Sequence, residues 1–174
     1  MKQAALALGL AVYQPERVRR PEALEYLRGT GARAMVVVGY GQIIPQSVID
    51  LAPLGILNVH ASLLPKYRGA GPVQWAIVNG ETRTGVTTMQ IDAGLDTGAM
   101  LLKRETPIAP GESAIELGQR LALIGADLLV ETLARLEAGT IVPEKQDDAQ
   151  ATWAPLLKKE DGMIDWTQPA SAIH

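Results

Sequence analysis

The sequence contains no cysteine, which excludes a disulfide framework, a thiolate metal site and a thiol nucleophile. Phenylalanine is absent too, although 47% of the 174 residues are hydrophobic; a core of that size has to be aliphatic, with little ring stacking to hold it. No apolar run is long enough to cross a bilayer, and no segment has the layout of a signal peptide. A cytoplasmic protein without a membrane partner is the expectation. The formal net charge of −3 supplies no basic field, so the composition does not advertise DNA, and an RNA partner has to be argued from other features. Also missing are the third glycine of a dinucleotide fingerprint, a phosphate-cradling Gly-Lys-Ser/Thr loop and a G-x-S-x-G elbow. Hydride transfer, nucleotide hydrolysis and acyl transfer through a serine therefore have no support.

What is present alternates between helix and strand. Residues 2–8 read as the end of a helix closed by Gly9, and residues 11–13 as a short strand before Pro15. A helix opening at Pro21, a good first-turn residue, should stop near Gly29 and Gly31. The continuous apolar run at 34–38 predicts a strand covered on both faces in a parallel sheet. A short helix at 46–51, a strand at 56–60 and a helix at 73–78 follow, the last ended by Asn79 and Gly80. Strands at 85–91 and 100–106 flank a loop at 92–98. Ser113 and Glu116 form a capping box that opens the longest helix, which runs to Gly139 and presents Leu117, Leu121, Ile124 and Leu128 at helical spacing. This alternation predicts an α/β fold with a mostly parallel sheet. After Pro143 the composition turns polar and the periodicity disappears, the mark of a linker.

The chemistry-bearing residues gather at strand ends. Asn58 and His60 are two apart on one predicted strand and share a face at its carboxyl end, where ligands bind in open α/β sheets. The plainer alternative is that Asn58 caps a turn and His60 is a satisfied core residue. The loop that follows, Ser62-Leu63-Leu64-Pro65-Lys66-Tyr67-Arg68-Gly69, sets two exposed-looking leucines beside that pair. They suit either a flat apolar ligand or a staple that holds the loop down. In Asp92-Ala93-Gly94-Leu95-Asp96-Thr97-Gly98 the glycines allow close backbone approach, and either carboxylate could pair with an imidazole, although aspartates in such loops are usually turn formers. A further loop, Tyr40-Gly41-Gln42-Ile43-Ile44, follows the 34–38 strand. One Asn, one His and one Asp with no nucleophile among them suit direct transfer between two bound substrates.

The run Asn58-Val59-His60-Ala61-Ser62-Leu63-Leu64-Pro65, followed by Arg68-Gly69, resembles the formyltransferases that use 10-formyltetrahydrofolate. That family includes enzymes acting on glycinamide ribonucleotide, methionyl-tRNA and UDP-sugars. Gly85-Val86-Thr87-Thr88-Met89-Gln90 running into Gly94-Leu95-Asp96-Thr97-Gly98 is similar to the methionyl-tRNA branch. So are Leu157-Lys158-Lys159-Glu160-Asp161-Gly162 and Ile164-Asp165-Trp166, and the match extends along nearly the whole chain. The resemblance implies a Rossmann-like formyltransferase fold truncated at both ends, with residues 1–142 as part of a catalytic domain and 143–174 as a linker to an absent C-terminal domain. It implies 10-formyltetrahydrofolate as co-substrate, initiator methionyl-tRNA as partner, and no metal. By position, Asn58, His60 and Asp96 would be catalytic and Ser62, Leu63, Leu64 and Pro65 would contact folate. Tyr40, Gly41, Gln42, Ile43 and Ile44, with Asp92, Gly94 and Leu95, would line the pterin pocket. Asn58 and a protonated His60 would stabilise the oxyanion formed when an amine attacks the formyl carbon, while Asp96 would help carry the proton away. Trp75 stands where many members carry Arg. Alternatives are a sugar or purine amine as acceptor, a folate-binding module without turnover, and half of an aspartic protease. The last rests on Asp96-Thr97-Gly98, but long helices flank that motif here, whereas those proteases are β-rich.

Overall fold

A computed structural model describes the backbone of residues 1–41 and 43–173, with side chains for all of these but Ser171 and Ala172. The chain divides into two compact units, Met1–Leu57 and Asn58–His174. The first holds helix α1 (Lys2–Ala7), helix α2 (Pro21–Gly29), strand β1 (Met35–Val37) and helix α3 (Gln46–Ile49), and strand β2 (Ile56–His60) begins in it. The second continues with helix α4 (Pro72–Val78), strands β3 (Arg83–Gln90) and β4 (Met100–Pro107), helix α5 (Ala114–Glu137) and a last short helix, α6 (Ala170–Ile173). The strands form one mixed, mostly parallel sheet of four in the order β1-β2-β3-β4, with β3 and β4 antiparallel. Among the described residues no helix is long and apolar enough to cross a membrane.

The first unit departs from expectation in two places. Residues 11–13 form no strand; a strand needs a ladder partner, and Tyr13 instead stacks its ring on Tyr26 of α2, centroids 4.1 Å apart. The apolar run that suggested two-sided burial supplies only Met35–Val37, and Val36 and Val38 remain 40% and 46% exposed. Among the described residues β1 stands last in the strand order.

In the second unit the sheet sorts its side chains by the two-residue period of a strand. Val86 joins Leu117, Leu121 and Leu128 of α5 in a dry cluster, with Val59 packed against it. On the same face of β3 the hydroxyls of Thr88 and Thr132 meet at 2.8 Å, and Thr132 also donates to the Leu128 carbonyl at 2.7 Å. Both threonines are completely buried, so each hydroxyl has to be paired, and is. Helix α5 starts where its capping box places it: the Ser113 hydroxyl accepts from the Glu116 N–H, and the Glu116 carboxylate accepts from the Ser113 N–H. The opposite face of β3 carries Met89, which packs with Leu64 and Met100.

Residues 144–155, polar in sequence, are tied at several points to earlier parts of this unit. Met100 and Glu144 exchange N–H···O bonds of 2.8 Å, and a parallel bridge joins Arg68 to Trp153. Polar composition described a stretch held by hydrogen bonds rather than by apolar contact.

At Gly125 α5 packs close to β2, since a Cβ there would come within 2.9 Å of the Val59 Cγ1 atom. Gly118 on the same helix has open space at the corresponding point. Gly118→Ala should therefore stabilise by up to about 1 kcal/mol through helix propensity. Gly125→Val should destabilise by about 1–3 kcal/mol, because a stiff buried valine cannot yield. Urea denaturation of the two variants measures both signs.

Candidate active site

β2 sets up the site. Val59 faces the α5 cluster, so its neighbours Asn58 and His60 point to the other side of the sheet together. Asn58 is half-buried, and its side chain has no hydrogen-bond partner among the described residues. His60, the last residue of β2, is 5% exposed. Its Nε2 lies 2.8 Å from the Tyr67 carbonyl oxygen and its Nδ1 lies 3.7 Å from Asp96 Oδ2. A carbonyl only accepts, so Nε2 carries a hydrogen and Nδ1 is the nitrogen turned to the carboxylate. At 3.7 Å that contact is an ion-pair distance and too long for a hydrogen bond.

The loop after β2 is shaped to present that carbonyl. Tyr67 has a φ of +62°, an uncommon conformation for a residue with a side chain, and it is held there from several directions. Its N–H donates to Thr152 Oγ1 at 2.8 Å; its phenol donates to Glu81 at 2.6 Å and accepts from the Asn79 amide at 3.1 Å. Burial and the Glu81 carboxylate push the phenol above its ordinary ionisation range. Thr87, fully buried on β3, donates to the Ser62 carbonyl at 2.7 Å and accepts from the Leu64 N–H at 3.2 Å, pinning the start of the loop.

That pinning corrects one expectation. Leu64 is not exposed: it is 1% accessible and belongs to the cluster with Met89 and Met100, while the Ser62 hydroxyl is spent on the Lys66 carbonyl at 2.6 Å. Leu63 and Pro65 stay half-buried.

Asp96 comes from the loop between β3 and β4. It also has a positive φ, +53°, which aspartate tolerates better than most residues. Its Oδ2 accepts the Gly69 N–H at 2.9 Å. Gly69 in turn has a φ of +118°, and a Cβ there would lie 2.6 Å from the Ala154 carbonyl oxygen. Asp92 is the turn former of the pair, with Oδ1 accepting from the Gly94 N–H at 3.0 Å and the Thr97 hydroxyl at 2.7 Å. Gly94 and Gly98 leave room for the loop itself, since a Cβ would strike Thr97 in one case and the Gln90 carbonyl in the other. Leu95 points outward, 60% exposed.

In the first unit, Tyr40 is 39% exposed, Ile43 is 94% exposed, Gly41 has a φ of +70° and Ile44 is partly buried. Gln42 lies outside the described residues. Sequence reading passed over Tyr67, Thr87 and Gln146, whose roles depend on partners far along the chain. Two neighbouring threonines in a strand of wholly buried residues were the one available signal, because buried hydroxyls require partners.

Asn58 and His60 thus share one face at the carboxyl end of β2, and the Asp96 carboxylate reaches His60 from the β3–β4 loop of the same α/β fold. Residues 1–133 match the formyl transferase family, and the chain belongs to that family. It is 83% identical over 174 residues to a methionyl-tRNA formyltransferase of Solibacter usitatus, covering 100% of this chain and 56% of that protein. It is 60% identical to one from Koribacter versatilis, covering 99% and 56%. The chain thus spans about half the length of these relatives. Among solved structures, the formyltransferase PseJ from Anoxybacillus kamchatkensis, in complex with a UDP-formamido sugar and tetrahydrofolate, is 24% identical with a TM-score of 0.74. That likeness covers 92% of this chain and 84% of that one. HypX from Aquifex aeolicus, in complex with tetrahydrofolic acid, is 21% identical with a TM-score of 0.75, over 88% of this chain and 27% of its own. These two likenesses speak for the fold.

Neutral His60 should exist as the Nε2–H tautomer, which imidazole 15N shifts identify; a neutral ring protonated at Nδ1 would contradict the bond to Tyr67. The Tyr67 phenol should ionise above pH 10, as a tyrosinate titration against Tyr67→Phe would show, and Glu81→Gln should bring it down. Because its folded value is raised, Tyr67 contributes stability fully present below about pH 10 and lost as pH rises through the folded value.

Proposed function

We propose that this chain carries the site at which a formyl group passes from 10-formyltetrahydrofolate to the α-amine of initiator methionyl-tRNA. The observation that carries the reading is the juxtaposition of His60 Nδ1 with the Asp96 carboxylate at 3.7 Å, beside an Asn58 amide on the same strand face. The relatives' names point to the same acceptor.

In this reading the amine attacks the formyl carbon, a C–N bond forms, and the carbonyl oxygen takes on negative charge. The Asn58 amide donates to that oxygen. Protonated at Nδ1, His60 donates as well, because the ion-pair distance to Asp96 leaves that N–H free while the carboxylate compensates the ring's charge. Collapse re-forms the carbonyl and breaks the bond to N10 of the folate; the amine's proton leaves by way of Asp96 and a water, and tetrahydrofolate departs protonated. On the second unit, Leu63, Pro65 and Leu95, with Asp92 and Gly94, would form the folate surroundings. Ser62 and Leu64 would contribute by fixing the loop's course. Residues 1–142 belong in this reading to the catalytic domain, and 143–174 lead toward a further domain of a cytoplasmic enzyme.

Asn58→Ala should lower kcat by about 10²–10³, the loss expected for one oxyanion donor, with little change in folate affinity. Formyl transfer to methionyl-tRNA at saturating folate measures it. An equal loss in folate binding and turnover would make Asn58 a binding anchor and overturn its assigned role.

A further inference from the structure

We infer that Gln146 is a positioning residue for Asp96, held in that office by the buried guanidinium of Arg68. The Gln146 side-chain amide donates to two backbone carbonyls, those of Asp96 and Gly98, at 2.8 Å each. Its Oε1 accepts from Arg68 Nε at 2.9 Å. Gln146 and Arg68 are 4% and 3% exposed. The orientation of the amide is fixed by chemistry: a guanidinium only donates and carbonyls only accept, so a flipped amide would set donor against donor and acceptor against acceptors. Both amide hydrogens and the amide oxygen are thereby used.

The two carbonyls bracket the turn that aims the Asp96 carboxylate. Asp96 sits at a φ of +53°, a conformation that persists where its surroundings enforce it. With its carbonyl fixed from one side by Gln146, the side chain is left to accept from Gly69 N–H and face His60 Nδ1 on the other. Arg68 closes the chain of contacts, since its Nη2 also donates to Asp148 Oδ1 at 2.8 Å. The segment following α5 therefore reaches the site through the backbone of the Asp96 loop. The catalytic meaning of this clamp rests on the role proposed above for Asp96; its geometry does not.

The test uses the full chain. Gln146→Glu keeps the length of the side chain and an acceptor for Arg68 but replaces both donors with oxygen. Gln146→Asn keeps the donors on a shorter stem and serves where the first variant fails to fold. Native-state hydrogen exchange at the Gly69 amide, which Asp96 caps, should accelerate about tenfold or more. The His60 imidazole resonances should move, and in the same direction as in an Asp96→Asn variant measured alongside. Formyl transfer should lose about tenfold or more in kcat, with folate KM within about twofold. A purely structural role would lower the melting temperature and leave both spectroscopic markers in place, and that result overturns the clamp. If the markers move and Asp96→Asn nevertheless transfers formyl normally, the clamp stands and the catalytic role of Asp96 fails. If Asp96→Asn abolishes transfer while the markers of a folded Gln146 variant stay still, the clamp fails and that role stands.

Discussion

A guanidinium removed from water must be surrounded by acceptors, and Arg68 decides what stands around it. At 3% exposure its charge cannot be left to solvent, and leaving it unpaired would be strongly destabilising. Its partners, Gln146 and Asp148, lie 78 and 80 residues further along the chain. Its main chain draws in the same segment, donating to the Thr152 carbonyl at 2.8 Å and accepting from Ala154 N–H at 2.7 Å. Gly69, next in sequence, has no Cβ to keep the Ala154 carbonyl away. One buried cation thus explains why a run of polar residues lies flat against the unit.

The sheet divides its labour by face. Toward α5 it offers Val59, Val86 and Thr88, which bury apolar area and one pair of hydroxyls. Toward the loops it offers Asn58 together with His60 and Thr87, and the polar atoms of the last two organise backbone. Most of that polarity is consumed internally: Thr87 by Ser62 and Leu64, His60 Nε2 by Tyr67, Asp92 by its own turn. Among the described residues, what remains without a hydrogen bond at the site is the Asn58 amide and the Nδ1 edge of His60. A transfer between two bound substrates needs a fixed frame with a few free donors, and little more.

Much of the second unit could be read before any coordinates. β2 follows from five residues whose type and spacing admit little else, and α5 from a capping box and a stripe of leucines. These signals are local. The failures are of another kind. Residues 11–13 have strand composition but no ladder partner, and strands are decided by partners. Leu64 looked exposed because no period extends from a strand into the loop beyond it; its burial is settled by Met89 and Met100, which arrive later in the chain. Gln146 was invisible for the same reason. Its surroundings, Asp147, Asp148 and Gln150, spell solvent to any compositional reading, and Gln146 is buried among partners far back in the chain, Arg68, Asp96 and Gly98. The motif reading singled out Asn58, His60 and Asp96, and it was silent on Tyr67, Thr87 and Gln146, whose partners lie elsewhere in the chain.

The spacing of Arg68 and its acceptors also sets an order of events during synthesis. His60, Tyr67 and Arg68 leave the ribosome well before Gln146. With translation at roughly 5–20 residues per second, the 78-residue gap leaves Arg68 waiting on the order of 4–16 s. Until Gln146 is made the guanidinium lacks its amide acceptor, and the turn at Asp96, once synthesised, lacks the amide that brackets it. Helix α5 is complete before Gln146 is made, so the strap beyond it is the last of these partners to reach the arginine.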